Sequence, residues 1–202
     1  MTTDELRDIL HSRYPAMDVM AIRQEDLVFE ERVRLKCFHC RNYHAKWTCP
    51  GHLPQLDYRK LIGEYEHLAV VSRSAMGLYR VPFGDTKATH ASAFPKTNLA
   101  IAFGDPVKLE DEYREAGNEL HRAMLFLESE LMKRNNPLAQ SFIGGSCELC
   151  EGGCPPNKCA HPEQARVPWD AIGCNVMRSL ENIGVQVDFT GKDVCRYGLI
   201  AW

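Results

Sequence analysis

The chain has 202 residues and a formal net charge of -3, with 25% charged and 45% hydrophobic residues. These are ordinary globular values: one well-buried core is expected, and no electrostatic footprint points to nucleic acid. No apolar run approaches the roughly 20 residues that span a bilayer, and Met1-Thr2-Thr3-Asp4-Glu5 lacks the basic and apolar start of a signal peptide. The expectation is a cytoplasmic protein without membrane or nucleic-acid partners, folded as a single domain over residues 1–202.

Thr2 stands three residues before Glu5, a capping-box spacing, and Leu6, Ile9 and Leu10 then form an apolar stripe. A first helix should run to about His11 or Tyr14, ended by Pro15. Met17 to Ile22 and Leu27 to Leu35 are rich in Val, Met, Leu and Phe with partial alternation, which predicts short strands. Tyr58, Leu61, Ile62 and Tyr65 predict a helix over Asp57 to Tyr65, and His67 to Val71 a buried strand. From Ser72 to Asn98 the chain is punctuated by Gly77, Pro82, Gly84 and Pro95, so only Leu78 to Val81 suits a strand; the rest is a long loop that could serve as a lid or as irregular surface. Leu99 to Phe103 is a further strand candidate.

The clearest helix spans Lys108 to Asn135, where Leu109, Tyr113, Ala116, Leu120, Ala123, Met124, Leu127 and Leu131 recur at intervals of three and four before Asn136-Pro137. That stripe reads as core. Leu138 to Ile143 predicts a strand, Trp169 to Ile183 a last helix between Pro168 and Gly184, and Val185 to Phe189 and Tyr197 to Ala201 the last strands. The fold class expected is α/β: a small mixed sheet flanked by helices, with cysteine-rich metal-binding loops at its edge.

Those loops carry the chemistry. Nine cysteines in a reducing compartment point to metal or redox chemistry rather than disulfides, and an odd count argues against complete pairing. Cys147, Cys150, Cys154 and Cys159 fall within thirteen residues as Cys-x2-Cys-x3-Cys-x4-Cys, flanked by glycines and followed at Cys154 by Pro155-Pro156. Neither glycine nor a Pro-Pro pair favours a continued helix, so this stretch should fold back and let the four sulfurs converge on one point. The spacing is close to the bacterial ferredoxin run, whose thiolates hold a cubane iron–sulfur centre; structural zinc is the alternative. Cys37, Cys40 and Cys49 form a second group, readable as three ligands of another iron–sulfur centre or as a zinc knuckle. Its fourth ligand is open among Cys174, Cys195, His39, His44 and His52, or the site keeps an open iron that acts as a Lewis acid. Lys36, Arg41 and Lys46 either offset an anionic cluster or form solvated surface.

The chain resembles a family known only as predicted metal-binding proteins, a domain of unknown function. The resemblance is carried by Cys37-x2-Cys40 with Tyr43 and Cys49-Pro50, by Gly145-Ser146-Cys147-x2-Cys150, by Cys159 with Pro162 and Arg166, and by Pro168, Ala171, Gly173 and Val176. It departs at Gly51, where the family has a second proline, and at Cys174, where it has an aliphatic residue; Cys195 has no clear counterpart. The resemblance implies seven matching cysteines and metal binding, and supplies no reaction. Three functions follow as expectations: an iron–sulfur protein with two [4Fe–4S] clusters that passes single electrons to a redox partner protein, an enzyme binding a small substrate at an open-site cluster, or a zinc-stabilised interaction module.

Overall fold

The computed structural model describes residues 1–74, 106–187 and 195–202, and the side chains of the long helix from Tyr113 onward. Its elements are α1 (Thr3–His11), β1 (Met17–Ala21), a 3-10 turn (Gln24–Asp26), α2 (Glu31–Phe38), α3 (Tyr58–Ile62), β2 (Leu68–Ser74), α4 (Pro106–Lys133), β3 (Gln140–Phe142), α5 (Val176–Asn182) and β4 (Cys195–Ala201). The strands form one sheet in the order β1-β2-β4-β3. Every strand pairing is antiparallel, with Val19 opposite Val71, Val71 opposite Gly198, and Phe142 opposite Leu199. The expected α/β class stands. Among the described residues the sheet itself is antiparallel, and the one parallel bridge joins Ile143 and Pro168 beyond β3.

Alternation along the strands divides the core into two. Ala69, Val71 and Ile200 face α1 and α4, packing with Leu6, Leu10, Leu120, Met124, Leu127 and Leu131. Leu68, Val70, Leu199 and Ala201 face the other way, onto Ile62, Trp169, Ile172, Cys174 and Leu180. β2 is therefore apolar on both faces, which explains its unbroken Leu-Ala-Val-Val run. The Thr2 capping box forms as read, with the Glu5 N–H donating to Thr2 Oγ1 and the Thr2 N–H to Glu5 Oε2 at 2.6 Å.

Two predicted elements are corrected. Leu27 to Leu35 is not a strand: only Phe29 makes a bridge, to Cys174, and helix α2 begins at Glu31. Glu, Arg, Leu and Lys are good helix formers, and the apparent alternation of Val33 and Leu35 lies on a helix whose residues are half-buried or exposed. Trp169 to Ile183 is not one helix either: residues 169–173 form turns between the bridged Pro168 and Cys174, and α5 starts only at Val176, capped by Asn175, whose side-chain oxygen accepts the Arg178 N–H. Gly173 adopts φ +93°, which a helix cannot contain. Val185 to Val187 has no regular structure, and Asp188 and Phe189 lie outside the described residues, as do the strand candidates Leu78 to Val81 and Leu99 to Phe103 and all of the suggested lid beyond Ser74. No described helix is long and apolar enough to cross a membrane.

Candidate metal centre

The four-cysteine loop leaves the end of edge strand β3. Its path is fixed by close approach to β4: a Cβ on Gly144 would collide with the Tyr197 carbonyl oxygen, so only glycine passes there. Arg196 locks the same point, donating to the Gly144 carbonyl at 3.0 Å while its guanidinium lies 3.5 Å from the Tyr113 ring centre. Both ends of the loop are tied to one buried carboxylate on α4. Glu128 accepts from the Ser141 N–H at 2.6 Å and the Ser141 hydroxyl ahead of the loop, and from Arg166 Nε at 2.8 Å and the Arg166 terminal nitrogen behind it.

Within that frame Cys147, Cys150, Cys154 and Cys159 line one recess, together with Leu149, Gly153, His161 and three residues from far away in sequence: Lys46, Trp47 and Thr48. Including its open mouth, the recess encloses about 330 Å³. The four thiols share its walls; among the described residues no group of three or more His, Cys, Asp or Glu side chains is gathered as a shell for a single ion. Burial pushes the Cys147 thiol up, as do the neighbouring Cys154 and Cys159, while the Leu149 N–H and Lys46 act in the opposite direction. Cys150 is raised by the same two kinds of cause, partial burial first and then Cys154 and Cys159.

The second group is brought alongside. Cys37 sits in the last turn of α2, a helix where a loop was expected, and Cys40 and Cys49 follow in a succession of turns held by ring contacts: Phe38 on Tyr43, Tyr43 on His44, and His52 on both His44 and Trp47. The Asn42 N–H donates to Cys40 Sγ at 3.5 Å, as thiolate ligands commonly require. Burial pushes Cys37 up to about 11 and Cys49 up to about 12, with the charge of Asp170 the next cause for each. Cys37 and Cys40 add to the shift of Cys49, so the three thiols feel one another.

Lys46 and Trp47 fasten the two groups together. Lys46 Nζ donates to the Cys147 carbonyl at 2.6 Å and to Ser146 Oγ at 3.1 Å, and Trp47 Nε1 donates to the Pro155 carbonyl at 2.8 Å. Of the remaining candidates, Cys174 is fully buried in the second core, its Sγ 3.4 Å from Ser179 Oγ, and Cys195 begins β4 opposite Ser74. A family model described as predicted metal-binding protein (DUF2284) matches residues 20–201. The chain belongs to this family. The match spans both cysteine groups of this DUF2284 chain and the Asp170 turn between them and α5. No curated protein and no solved structure matches the chain.

Sequence reasoning passed over Trp47, Thr48 and Asp170. Thr48 Oγ1 and Asp170 Oδ1 are the two side-chain polar atoms among the described residues that are sealed from solvent with no hydrogen-bond partner. Buried polar atoms without partners are uncommon, and Thr48 lines the recess of the four thiols. Asp170 had a signal in the sequence, an acid enclosed by Val167, Trp169, Ala171 and Ile172, residues that are mostly interior. Four thiols in one recess suit iron–sulfur clusters and zinc alike.

Proposed function

We propose that this metal-binding protein holds two [4Fe–4S] clusters, one on Cys147, Cys150, Cys154 and Cys159 and one on Cys37, Cys40 and Cys49, and passes single electrons to a redox partner protein. The observation that carries this reading is the shared wall: residues 46–48, which lead directly into Cys49, also line the recess of the other four thiols. Two thiol groups separated by about a hundred residues of chain are thereby neighbours, an arrangement that serves electron passage between centres and has no evident use for two independent zinc knuckles. Bound clusters of this kind exchange single electrons, with potentials set by hydrogen bonds to sulfur, local charge and exposure.

The chain's own residues supply those settings. Lys46 opposes the negative charge of Cys147 and Cys49. The Leu149 N–H favours the thiolate form of Cys147, the Asn42 N–H donates to Cys40 Sγ, and the unpartnered Thr48 hydroxyl is a donor available inside the recess. In the metal-free chain the raised Cys37 and Cys49 are protonated thiols, so metal binding releases protons and strengthens with pH.

Anaerobically purified protein should contain iron and acid-labile sulfide in comparable amounts, absorb as a brown protein, and bleach with dithionite. Stoichiometric zinc without sulfide would overturn the proposal and leave an interaction module. A small molecule that changes the cluster spectrum without electron exchange would instead move the function to an open-site enzyme.

A further inference from the structure

Resting on the two-cluster reading, we infer that the outward face of α2 is the docking site of the redox partner, an acidic one-electron carrier protein seated on Leu35 and Phe38 between flanking cations. The helix turns its bulkiest apolar side chains outward. At 3.6 residues per turn Leu35 and Phe38 share one face, and Val33 and Cys37 the opposite one. The half-buried side is that of Val33 and Cys37, which leaves Leu35 61% and Phe38 59% exposed. Phe38 is held in place there, its ring meeting those of Tyr43 and His39 edge-on at 5.3 and 5.2 Å between centres. Neighbouring large apolar side chains on a solvent face, rimmed by polar ones, mark interaction sites.

Charge decides what sits on that face. Residues 32–56 hold five of the chain's 24 Lys and Arg and none of its 27 Asp and Glu, so the rest of the chain has 19 bases against 27 acids. Around the helix, Arg32 and Lys36 flank the apolar pair on one side and Arg34 on the other, and Arg41 follows in the next turn. All four are exposed, and Arg34, Lys36 and Arg41 form no ion pair among the described residues. Glu31 is the one acid of α2, and Glu30 before it is held by Arg32, Asn175 and Arg178. The four-cysteine loop carries exposed Glu148 and Glu151, so the basic field belongs to α2 and the turn after it. An apolar centre rimmed by one sign of charge steers and selects a partner of the other sign. A carrier seated there is one helix width, about 10 Å, from Cys37. Transfer makes and breaks no bond: one protein is oxidised by one electron and the other reduced by one.

The test begins with iron and sulfide in anaerobically purified wild type, whose absence refutes the two-cluster reading itself. With clusters present, protein reduced by dithionite and freed of the excess is mixed in a stopped-flow instrument with an acidic acceptor, plastocyanin, or a basic one, cytochrome c. In each case the iron–sulfur protein loses one electron and the acceptor's Cu(II) or haem Fe(III) gains it. The net charge of -3 alone would favour cytochrome c; the α2 face reverses this. The plastocyanin rate should therefore fall as salt is raised from about 10 mM to about 0.5 M, and the cytochrome c rate should not. Lys36→Glu with Arg41→Glu should slow plastocyanin roughly tenfold at low salt, and Leu35→Ser should slow it at both salt concentrations, with iron and sulfide at wild-type levels in both variants. A plastocyanin rate that is flat or rises with salt, or charge-reversed protein that matches wild type, overturns the proposal. Should Leu35→Ser lose iron, the charge-reversed protein decides alone. A wild-type dimer in sedimentation velocity that the substitutions dissolve assigns the face to a second copy, and wild-type binding to phosphatidylserine vesicles that they abolish assigns it to a membrane; either result also overturns it.

Discussion

Replacing Glu128 by alanine tests whether the four-cysteine loop is held by one buried anchor. The carboxylate is 11% exposed and its partner Arg166 17%, so the pair is screened little by solvent. Glu128 also satisfies both the N–H and the hydroxyl of Ser141, which is fully buried in β3. Removing one partner of a buried ion pair leaves an uncompensated charge and costs about 3–5 kcal/mol. That is a large share of the roughly 5–15 kcal/mol that separates folded from unfolded domains. Glu128→Gln keeps an acceptor and should cost less, about 1–3 kcal/mol. The double replacement Glu128→Leu with Arg166→Leu should recover most of the alanine loss, because no charge remains buried and the groups orphaned are the neutral Ser141 N–H and hydroxyl and the Glu163 and Ala165 carbonyls. Urea denaturation followed by far-ultraviolet circular dichroism under anaerobic conditions measures the differences, and iron content after overnight dialysis reports on the loop. A Glu128→Ala protein within about 1 kcal/mol of wild type, or a double variant no better than the single one, would refute the reasoning.

Cys174→Ser should leave iron and sulfide at wild-type levels while lowering stability by about 1–2 kcal/mol for the buried hydroxyl, whereas Cys40→Ser should remove one cluster and leave the other visible by electron paramagnetic resonance; equal iron loss in the two variants would make Cys174 a ligand. Glu30 ties α2 to the Asp170 turn, and its hydrogen bonds from Arg32, Asn175 and Arg178 hold its carboxyl down from the usual 4.5 to about 2. A depressed carboxylate contributes stability that is present above its ordinary range and is lost as pH falls toward about 2. The urea midpoints of wild type and Glu30→Gln should therefore differ near neutrality and converge as the medium is acidified from about pH 5 to about pH 2; parallel profiles would show that Glu30 contributes no pH-dependent stability.

Local signals account for much of the fold. The capping box at Thr2, the three-and-four stripe from Ala116 to Leu131 and the apolar run at Leu68 to Val71 each record burial on a repeating face, and each element forms where that pattern lies. Leu27 to Leu35 misled because a half-exposed helix with Val33 and Leu35 among charged residues has no clean period. Trp169 to Ile183 misled because burial there comes from turns packed beneath the sheet, so apolar residues recur without a helix to space them.

Cysteine spacing alone determined the two thiol groups and the metal-binding character of the chain, since ligands that must surround one centre are commonly delivered by short, turn-rich segments. Which groups stand together was decided only by the tertiary structure. Lys46 and Trp47 reach the loop at Cys147 to Pro155 across about a hundred residues, and the turn after Asp170 is tied to the segment entering α2 by the Glu30 N–H on the Gly173 carbonyl and the Asn175 N–H on the Val28 carbonyl. Contacts of that kind leave no periodic trace along the chain. They arise because burying both faces of the sheet fixes where every connecting segment must lie, and an orphaned carboxylate becomes recognisable only when its surroundings are in place.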